Sequence, residues 1–169
     1  IELVNKYIPD MKKYVSGTGS PMYYAARIAK EKYPDAKIVF VGPCVAKRKE
    51  AQRDEAVDFV MTFEEISSIF DAFEINLEIV QPYAMEFSSV REAHGFAQAG
   101  GVMGAVKAFL KMEADKINAI QVSDLNKKNI GTLRAYAKSG KAPGQFIEVM
   151  ACEGGCICLL YTSDAADDR

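Results

Sequence analysis

The sequence has few of the residues that most metal sites and membrane segments need. Its 169 residues include one histidine and no tryptophan. No apolar run approaches the roughly 18 residues of a membrane-spanning helix. The only histidine, His94, lies in a stretch without clear periodicity, and we expect it to be a loop residue rather than a metal ligand. Metal chemistry, if present, must therefore depend on other side chains.

The end of the sequence, residues 158–169, differs from everything before it. It reads CLLYTSDAADDR and resembles the in-frame translation of a transposon-type sequencing adapter, so we treat it as a non-native tail. The chain has 21 basic and 23 acidic residues, or 20 of each without the tail, so net charge carries no functional signal. Excluding Cys158 leaves three cysteines, which suits metal ligation or a reducing compartment better than a disulfide framework.

Hydrophobic periodicity divides residues 1–157 into alternating helices and strands. Ser20 before Pro21 predicts a capped helix start, and Thr62 with Glu65 predicts a capping box. We expect helices over 1–15 (interrupted at Pro9), 20–33, 47–52, 62–73, 100–112 and 126–139, and strands over 37–41, 57–61, 75–80, 117–122 and 145–150. This order predicts an α/β protein with largely parallel sheets flanked by helices, in which the first strand is buried.

Two of the predicted strands end close to cysteine. The last strand runs into Cys152 and Cys156, which flank a Gly-Gly turn, and the first strand runs into Cys44. A glycine-rich bend can turn two thiols the same way, which strand residues at that spacing cannot. Because open α/β sheets bind ligands beyond the carboxyl ends of their strands, we predict an iron–sulfur site held by these cysteines.

The surroundings of the cysteines also allow plainer interpretations. Lys47, Arg48 and Lys49 follow Cys44 and would favour its thiolate, the form that binds metals, or donate to an anionic ligand. The alternative is a buried structural cysteine followed by a solvated basic helix. The later cysteine pair lacks the Cys-x-x-Cys spacing of redox pairs and most zinc knuckles, and its alternative is a glycine-rich loop with two thiols.

Glycines are concentrated at the start of the helix predicted over 100–112. Gly95, Gly100, Gly101 and Gly104 lack the spacing and the immediately preceding strand of a dinucleotide fingerprint, so nucleotide binding is not predicted. Close glycines do allow a helix N-terminus to approach something bulky and anionic.

Four short stretches occur in a fixed order along the chain. They are Ser20-Pro21-Met22, Pro43-Cys44-Val45-Ala46-Lys47-Arg48-Lys49-Glu50, Gly100-Gly101-Val102-Met103 and Met150-Ala151-Cys152-Glu153-Gly154-Gly155-Cys156. Together they resemble the H-cluster domain of iron-only (FeFe) hydrogenases, whose cysteine motifs include Pro-Cys-x-x-Lys-x-x-Glu and Met-Ala-Cys-x-x-Gly-Cys. The resemblance covers residues 1–157.

The resemblance implies an H-cluster, a four-iron cubane joined through one cysteine sulfur to a two-iron unit with CO, cyanide and dithiolate ligands. Its implied cubane ligands are Cys44, Cys152 and Cys156, of which Cys156 also bridges to the two-iron unit. Lys47 would donate to a cyanide, and Met150 would pack against the two-iron unit. Such a cluster is anionic, and Lys47 with nearby backbone amides would offset its charge. The site would lie between two lobes.

The remaining implied roles concern the pocket and the proton supply. Gly100 and Gly101 would line the pocket, and Ser20 and Glu50 match positions associated with proton movement. The intact parent would be an oxidoreductase that interconverts H2 with protons and electrons, with ferredoxin or accessory iron–sulfur domains as its electron partner. We expect it to be anaerobic and cytoplasmic, with no nucleic-acid or membrane partner.

The match departs from the family pattern at three places. A cubane needs four cysteines, so we expect that the chain is a fragment, that its fourth ligand lay just upstream of Ile1, and that the fragment alone is inactive. Gly42 replaces a methionine of well-studied catalytic members, as in divergent, sensory branches. After Cys156 the family's glycine run is lost. Two alternatives stay open: a hydrogen-sensing protein, and an iron–sulfur assembly scaffold with little or no turnover.

Overall fold

The structure, a computed structural model, describes residues 1–83 and 91–157. The chain divides into two compact units. The first unit comprises Ile1–Ser16 and the described residues of Phe87–Arg169, and the second comprises the described residues of Gly17–Glu86. In the part of the chain that is described, no helix has the length and apolar character needed to cross a membrane.

Helices and strands alternate along the described residues. The α-helices are α1 (Glu2–Tyr7), α2 (Pro21–Lys32), α3 (Ala46–Ala51), α4 (Phe63–Ala72), α5 (Arg91–His94), α6 (Gly101–Leu110) and α7 (Lys127–Ser139). The strands are β1 (Val39–Val41), β2 (Phe59–Met61), β3 (Ala119–Ser123) and β4 (Phe146–Met150), and 3₁₀ helices span Pro9–Tyr14 and Lys111–Lys116. The predicted tail, with Cys158, lies outside the described residues.

Both sheets are parallel pairs, which confirms the predicted α/β class. Their registers align Val39–Val41 with Phe59–Met61, and Ala119–Ser123 with Phe146–Met150. Parallel neighbours need a crossover connection, and helices α3 and α7 lie in the two crossovers.

In the first unit, the β3–β4 sheet separates the core from helix α6. On one face Val122 packs against Ile8 and Leu133 in the core of the unit. Side chains alternate along a strand, so the register neighbours Gln121 and Glu148 lie on the opposite face, where Glu148 contacts the start of α6. The sheet therefore connects the core of this unit to the site described below.

In the second unit, helix α2 packs on the β1–β2 sheet. Met22 and Ala26 of α2 form its buried core, against which Phe40 of β1 packs. Asp54 is buried and pairs with Arg27 of α2 at 2.9 Å. The hydrogen bond from Arg27 lowers the pKa of the Asp54 carboxyl. This pair ties α2 to the loop that precedes β2.

The local start signals place the helices correctly. Ser20 caps α2 by accepting a hydrogen bond from a backbone N–H of its first turn, and Thr62 with Glu65 forms the capping box of α4. Asn126 caps α7 in the same manner as Ser20. The predicted caps at Ser20 and Thr62 are confirmed, since each cap depends on residues three positions apart in the sequence.

The prediction that the first strand is buried is wrong. Val39 is 45% exposed and Val41 is 37% exposed. In β1 the alternate residue, Phe40, packs against the core of the unit, as does Ile38 just before the strand. A continuous apolar run predicts a strand buried on both faces, whereas one face of β1 is covered within its unit.

The prediction of an extended segment over 75–80 is also wrong. The side-chain oxygen of Asn76 accepts a hydrogen bond from the Glu78 N–H (2.9 Å), and the Asn76 carbonyl accepts one from the Ile79 N–H (3.3 Å). Asparagine favours such turns because its side chain mimics a backbone acceptor. This turn interrupts the apolar pattern.

Candidate metal centre

The bend that carries two of the predicted thiol ligands follows β4 directly. Cys152 is half-buried and Cys156 is exposed. The bend is fastened to the segment before α6 by two backbone hydrogen bonds: the Ala99 N–H donates to the Gly154 carbonyl (3.0 Å), and the Cys156 N–H donates to the Ala97 carbonyl (2.7 Å). The thiol-bearing bend and the approach to α6 therefore form one substructure built from backbone contacts.

Glycine is required at two places in this substructure. Gly155 has a φ of +96°, and a Cβ there would lie 2.5 Å from the backbone nitrogen of Ala99. At Gly101 a Cβ would lie 1.9 Å from the carbonyl oxygen of Gly95. Backbone atoms cannot move aside as flexible side chains can, so both glycines permit close approach of the chain to itself. Gly100, with a φ of +88°, turns the chain into α6.

A buried carboxylate that sequence reasoning missed binds the start of α6. Glu148 is 4% exposed, the Gly100 N–H donates to its Oε1 (2.6 Å), and the Met103 N–H donates to its Oε2 (2.7 Å). The positive end of the helix, which the close glycines allow to approach an anionic group, thus binds the protein's own carboxylate. The available signal was a charged residue inside an apolar strand, since a buried charge needs partners.

The end of β4 is tied to the end of β3. Met150, predicted to contact the two-iron unit, is half-buried and pairs in register with Ser123. The Ser123 hydroxyl donates to the Cys152 carbonyl (3.4 Å), and the Leu125 N–H donates to the Ala151 carbonyl (3.0 Å). These bonds fix the point at which the chain leaves the sheet and enters the cysteine bend.

The third predicted thiol ligand, Cys44, belongs to the second unit. The Gly42 N–H donates to the Met61 carbonyl (3.0 Å), which extends the β1–β2 ladder by one residue. Cys44 is half-buried, and its carbonyl accepts a hydrogen bond from the Lys47 N–H (3.2 Å) in the first turn of α3. Cys44 thus lies in the short turn between the carboxyl end of β1 and α3.

Three predicted site residues of the second unit form one hydrogen-bonded chain. The Ser20 hydroxyl donates to Oε1 of Glu50, and the Lys47 ammonium donates to Oε2 of the same carboxylate (2.6 Å). Ser20 also caps α2, so the chain links the start of α2 to α3. The structure therefore brings together the residues predicted to supply protons and the lysine predicted to donate to cyanide.

Cations that follow Cys44 are paired with glutamates. Lys47 pairs with Glu50, and Arg48 pairs with Glu65 at 2.5 Å. The hydrogen bond from the Thr62 N–H, followed by that from Arg48, lowers the pKa of the Glu65 carboxyl. The positive charge that the sequence suggested beside the thiol is therefore largely offset within the unit.

The predicted site residues fall into two sets, one in each unit. The first unit holds Gly100, Gly101, Met150, Cys152 and Cys156, and the second holds Ser20, Cys44, Lys47 and Glu50. Within either unit, the described residues contain no group of three or more His, Cys, Asp or Glu side chains that could hold a metal. His94, at the end of α5, is exposed. That Cys44 shares a site with the cysteine bend stays a prediction.

The residues present fit an iron–sulfur cluster by chemical type. Thiolates are the usual ligands of such clusters, and none of the cysteines that the structure describes is in a disulfide. Two thiols lie on one bend that is hydrogen-bonded to the chain before the glycine turn. An amine that has three donors, Lys47, lies three residues from the third thiol. These features would suit an anionic cluster.

A separate groove of about 920 Å³ lies in the first unit, on the face of the sheet away from α6. Its walls include Leu3, Met11, Tyr136, Ile147 and Val149. Among the residues that the structure describes, no cysteine or carboxylate lines it. Its lining is mainly apolar and offers no thiolate, so it is not the candidate metal centre.

Comparison with known proteins gives a consistent family and fold. The family model for the C-terminal domain of the iron only hydrogenase large subunit matches residues 1–158. A solved structure of an FeFe hydrogenase, HydA(deltaEFG), from work on stepwise H-cluster assembly, matches with a TM-score of 0.59 and 21% sequence identity, covering 92% of this chain and 57% of that chain. At this identity the match shows that the two share a fold.

Three curated relatives are also similar, and the chain covers a smaller share of their length than of the solved structure. The chain is 27% identical to iron hydrogenase 1 of Clostridium pasteurianum, over 93% of the chain and 35% of that protein. It is 26% identical to the periplasmic Fe hydrogenase large subunit of Nitratidesulfovibrio vulgaris (90% and 47%) and to the cytosolic Fe-S cluster assembly factor narfl of Danio rerio (85% and 47%). The chain thus spans less than half the length of each of these relatives.

Proposed function

Because the chain belongs to the family of C-terminal domains of iron-only hydrogenase large subunits, we propose that Cys44, Cys152 and Cys156 ligate an iron–sulfur cluster at which the whole protein interconverts H2 with protons and electrons. The observation that supports this most is the thiol-bearing bend, fastened by backbone hydrogen bonds to the glycine turn that opens α6. Such a rigid bend suits a large inorganic group that needs fixed ligands.

The proposed cofactor is an H-cluster, a four-iron cubane joined to a two-iron unit with CO, cyanide and dithiolate ligands. When bound, it supplies the stored electrons and the open iron position that hydrogen chemistry needs. The residues of this chain that would hold it are Cys44, Cys152 and Cys156. Met150 would pack against the cluster, and Gly100 and Gly101 would line its pocket.

Lys47 is proposed to offset the charge of the cluster. Its ammonium group has three donors, and the carboxylate of Glu50 takes one of them at 2.6 Å. The other donors are available for an anionic ligand such as cyanide. An amine does this without competing with the thiolates for iron, since a protonated lysine has no lone pair to offer.

Glu50 and Ser20 are proposed to move protons. Each oxygen of the Glu50 carboxylate has one partner, Ser20 on one side and Lys47 on the other. The Glu50 side chain is 37% exposed, so its carboxylate can take up a proton from solvent and exchange it with the Ser20 hydroxyl. Ferredoxin or accessory iron–sulfur domains are the proposed electron partner, and an anaerobic cytoplasm is the proposed location.

Anaerobic reconstitution with iron and sulfide tests the shared ligand set. A monothiol in the buffer can serve as an additional ligand. We expect C44A, C152A and C156A each to lose most of the bound iron and the electron paramagnetic resonance signal of the reduced cluster. C158A, which removes a thiol of the tail, is the matched control and should keep both. Full iron content in C44A would show that Cys44 does not belong to the site.

A second candidate function is that of an iron–sulfur assembly scaffold. The zebrafish relative, a cytosolic Fe-S cluster assembly factor, is as similar to this chain as the hydrogenases are. The two functions share the thiol ligands and differ in turnover. Anaerobic H2 uptake and evolution by the whole protein in its cluster-loaded form separates them, because a scaffold retains the cluster and shows no hydrogen turnover.

A further inference from the structure

Glu148 is a buried carboxylate that the proposed chemistry does not use. It lies in β4, four residues before Cys152, and accepts hydrogen bonds from the N–H groups of Gly100 and Met103. We infer that Glu148 is a positioning residue that locks the glycine turn at the start of α6 against the cysteine bend.

The bond pattern requires a carboxylate. Both partners of Glu148 are backbone N–H donors, at 2.6 Å and 2.7 Å from its two oxygens. A carboxylate presents acceptors on both oxygens, whereas a glutamine amide presents one acceptor and one donor group. In E148Q one N–H would therefore face an NH2 group in a buried site, which leaves a donor unsatisfied.

The contacts around Glu148 complete a closed series of connections between β4, the cysteine bend and α6. Strand β4 continues into the cysteine bend, and the bend is bonded to the chain at Ala97 and Ala99. That chain turns at Gly100 into α6, and the first turn of α6 returns to β4 through Glu148. Because Gly101 lies so close to the Gly95 carbonyl, the start of α6 has no room to move towards it. A shift of the α6 start must therefore displace the bend.

The consequence for the metal centre rests on the proposed function. If the bend ligates a cluster, Glu148 sets the spacing between its thiols and the glycine turn before the cluster binds. Ligands that are fixed in advance bind without the entropic cost of ordering the loop. Glu148 acts through the backbone and does not itself touch the cluster.

Hydrogen exchange of the chain without metal tests the inference directly. In E148Q we expect the amides of residues 97–104 and of the bend at 152–156 to exchange faster by about tenfold or more than in the wild type. The matched control is L133A, which weakens the core of the same unit through a fully buried side chain of α7. L133A should speed exchange mainly in α7 and β3.

The outcomes separate positioning from general stability. Faster exchange confined to Gly100 and Met103, with an unchanged bend, would overturn the inference, and so would an equal effect on the bend in L133A. If E148Q does not fold, E148D, which keeps the charge but shortens the reach, should show the same localised change. In reconstituted samples, E148Q should broaden the cluster's resonance signal more than L133A does. Failure of the wild type to bind any cluster would overturn the proposed function and leave the exchange result standing.

Discussion

The two parts of the candidate metal centre are built in different ways. In the first unit, the bend with Cys152 and Cys156 is held by backbone-to-backbone bonds and by glycines that allow contact closer than any side chain permits. In the second unit, Cys44 lies three residues before Lys47, and the Glu50 carboxylate is hydrogen-bonded to both Lys47 and Ser20. The first part depends on close backbone contacts and on the Glu148 carboxylate bound to backbone N–H groups, and the second on hydrogen bonds between polar side chains.

This difference predicts different responses to substitution. Backbone contacts leave no atom free to move, so changes in the first part should act through folding and geometry. The side chains of the second part are partly exposed, so single changes there should cost less stability. The predictions below test this contrast from the largest expected effect to the smallest.

The largest effect is expected for an added methyl group at the glycines of the first part. G101A and G155A should each destabilise the unit by roughly 3 kcal/mol or more, because the new Cβ meets backbone atoms. G104A, in the same helix with open space around it, is the matched control and should stabilise by about 0.5–1 kcal/mol. Urea unfolding measures all three. A mild effect of G101A would mean that the backbone contact at Gly95 is loose.

An intermediate, pH-dependent effect is expected at the β1–β2 sheet, whose first strand leads to Cys44. The Ile38 N–H, followed by Lys37, lowers the pKa of Asp58 from 3.8 to about 2. A carboxyl group whose pKa is lowered in the folded state stabilises that state at pH values above its ordinary pKa of 3.8. This contribution is lost as the pH falls from 3.8 towards about 2. D58N should remove that part of the acid dependence of unfolding.

The control for D58N is D35N, which removes the same charge from an exposed position of the second unit. Denaturant unfolding above pH 3.8 and near pH 2 measures the effect on stability. Hydrogen exchange at the same two pH values shows whether the effect lies in β1 and β2. Equal acid dependence in the wild type and in D58N would show that Asp58 does not hold the start of β1.

The smallest effect is expected at Gly42, which lies between β1 and Cys44. A Cβ there would lie 2.7 Å from the ring of Phe40, the far end of a flexible side chain. G42A should cost about 0.5–1.5 kcal/mol in the wild type, because the ring must leave its rotamer, and much less in F40L. A double-mutant cycle measures this coupling. Equal costs in both backgrounds would mean that Phe40 does not fill the space beside Gly42.

Much of the fold was predictable because its signals are local. The caps at Ser20 and Thr62 depend on residues within one helical turn, and the structure confirms both. The burial of β1 was predicted wrongly, since apolar character does not reveal whether a second layer covers a strand. The turn at Asn76 was missed because the apolar residues around it predict a strand, whereas the hydrogen bond to the Asn76 side chain forms a turn.

The candidate site was predictable in its residue types and less so in its contacts. Residues near one another in sequence, such as Lys47 and Glu50, could be expected to interact on one helix face. The bond from Ser20 to Glu50 and the two bonds to Glu148 join distant parts of the chain. Periodicity carries no information about which distant backbone amide a carboxylate will meet.

The sequence by itself determined the cysteine spacing, the glycines that permit the bend, the helix caps and the family to which the chain belongs. Only the tertiary structure decided that Glu148 closes the corner between β4 and α6, and that Gly101 lies against Gly95. The reason is physical: propensities and caps act over a few residues, whereas a buried charge finds its partners only when the strand and the helix have packed.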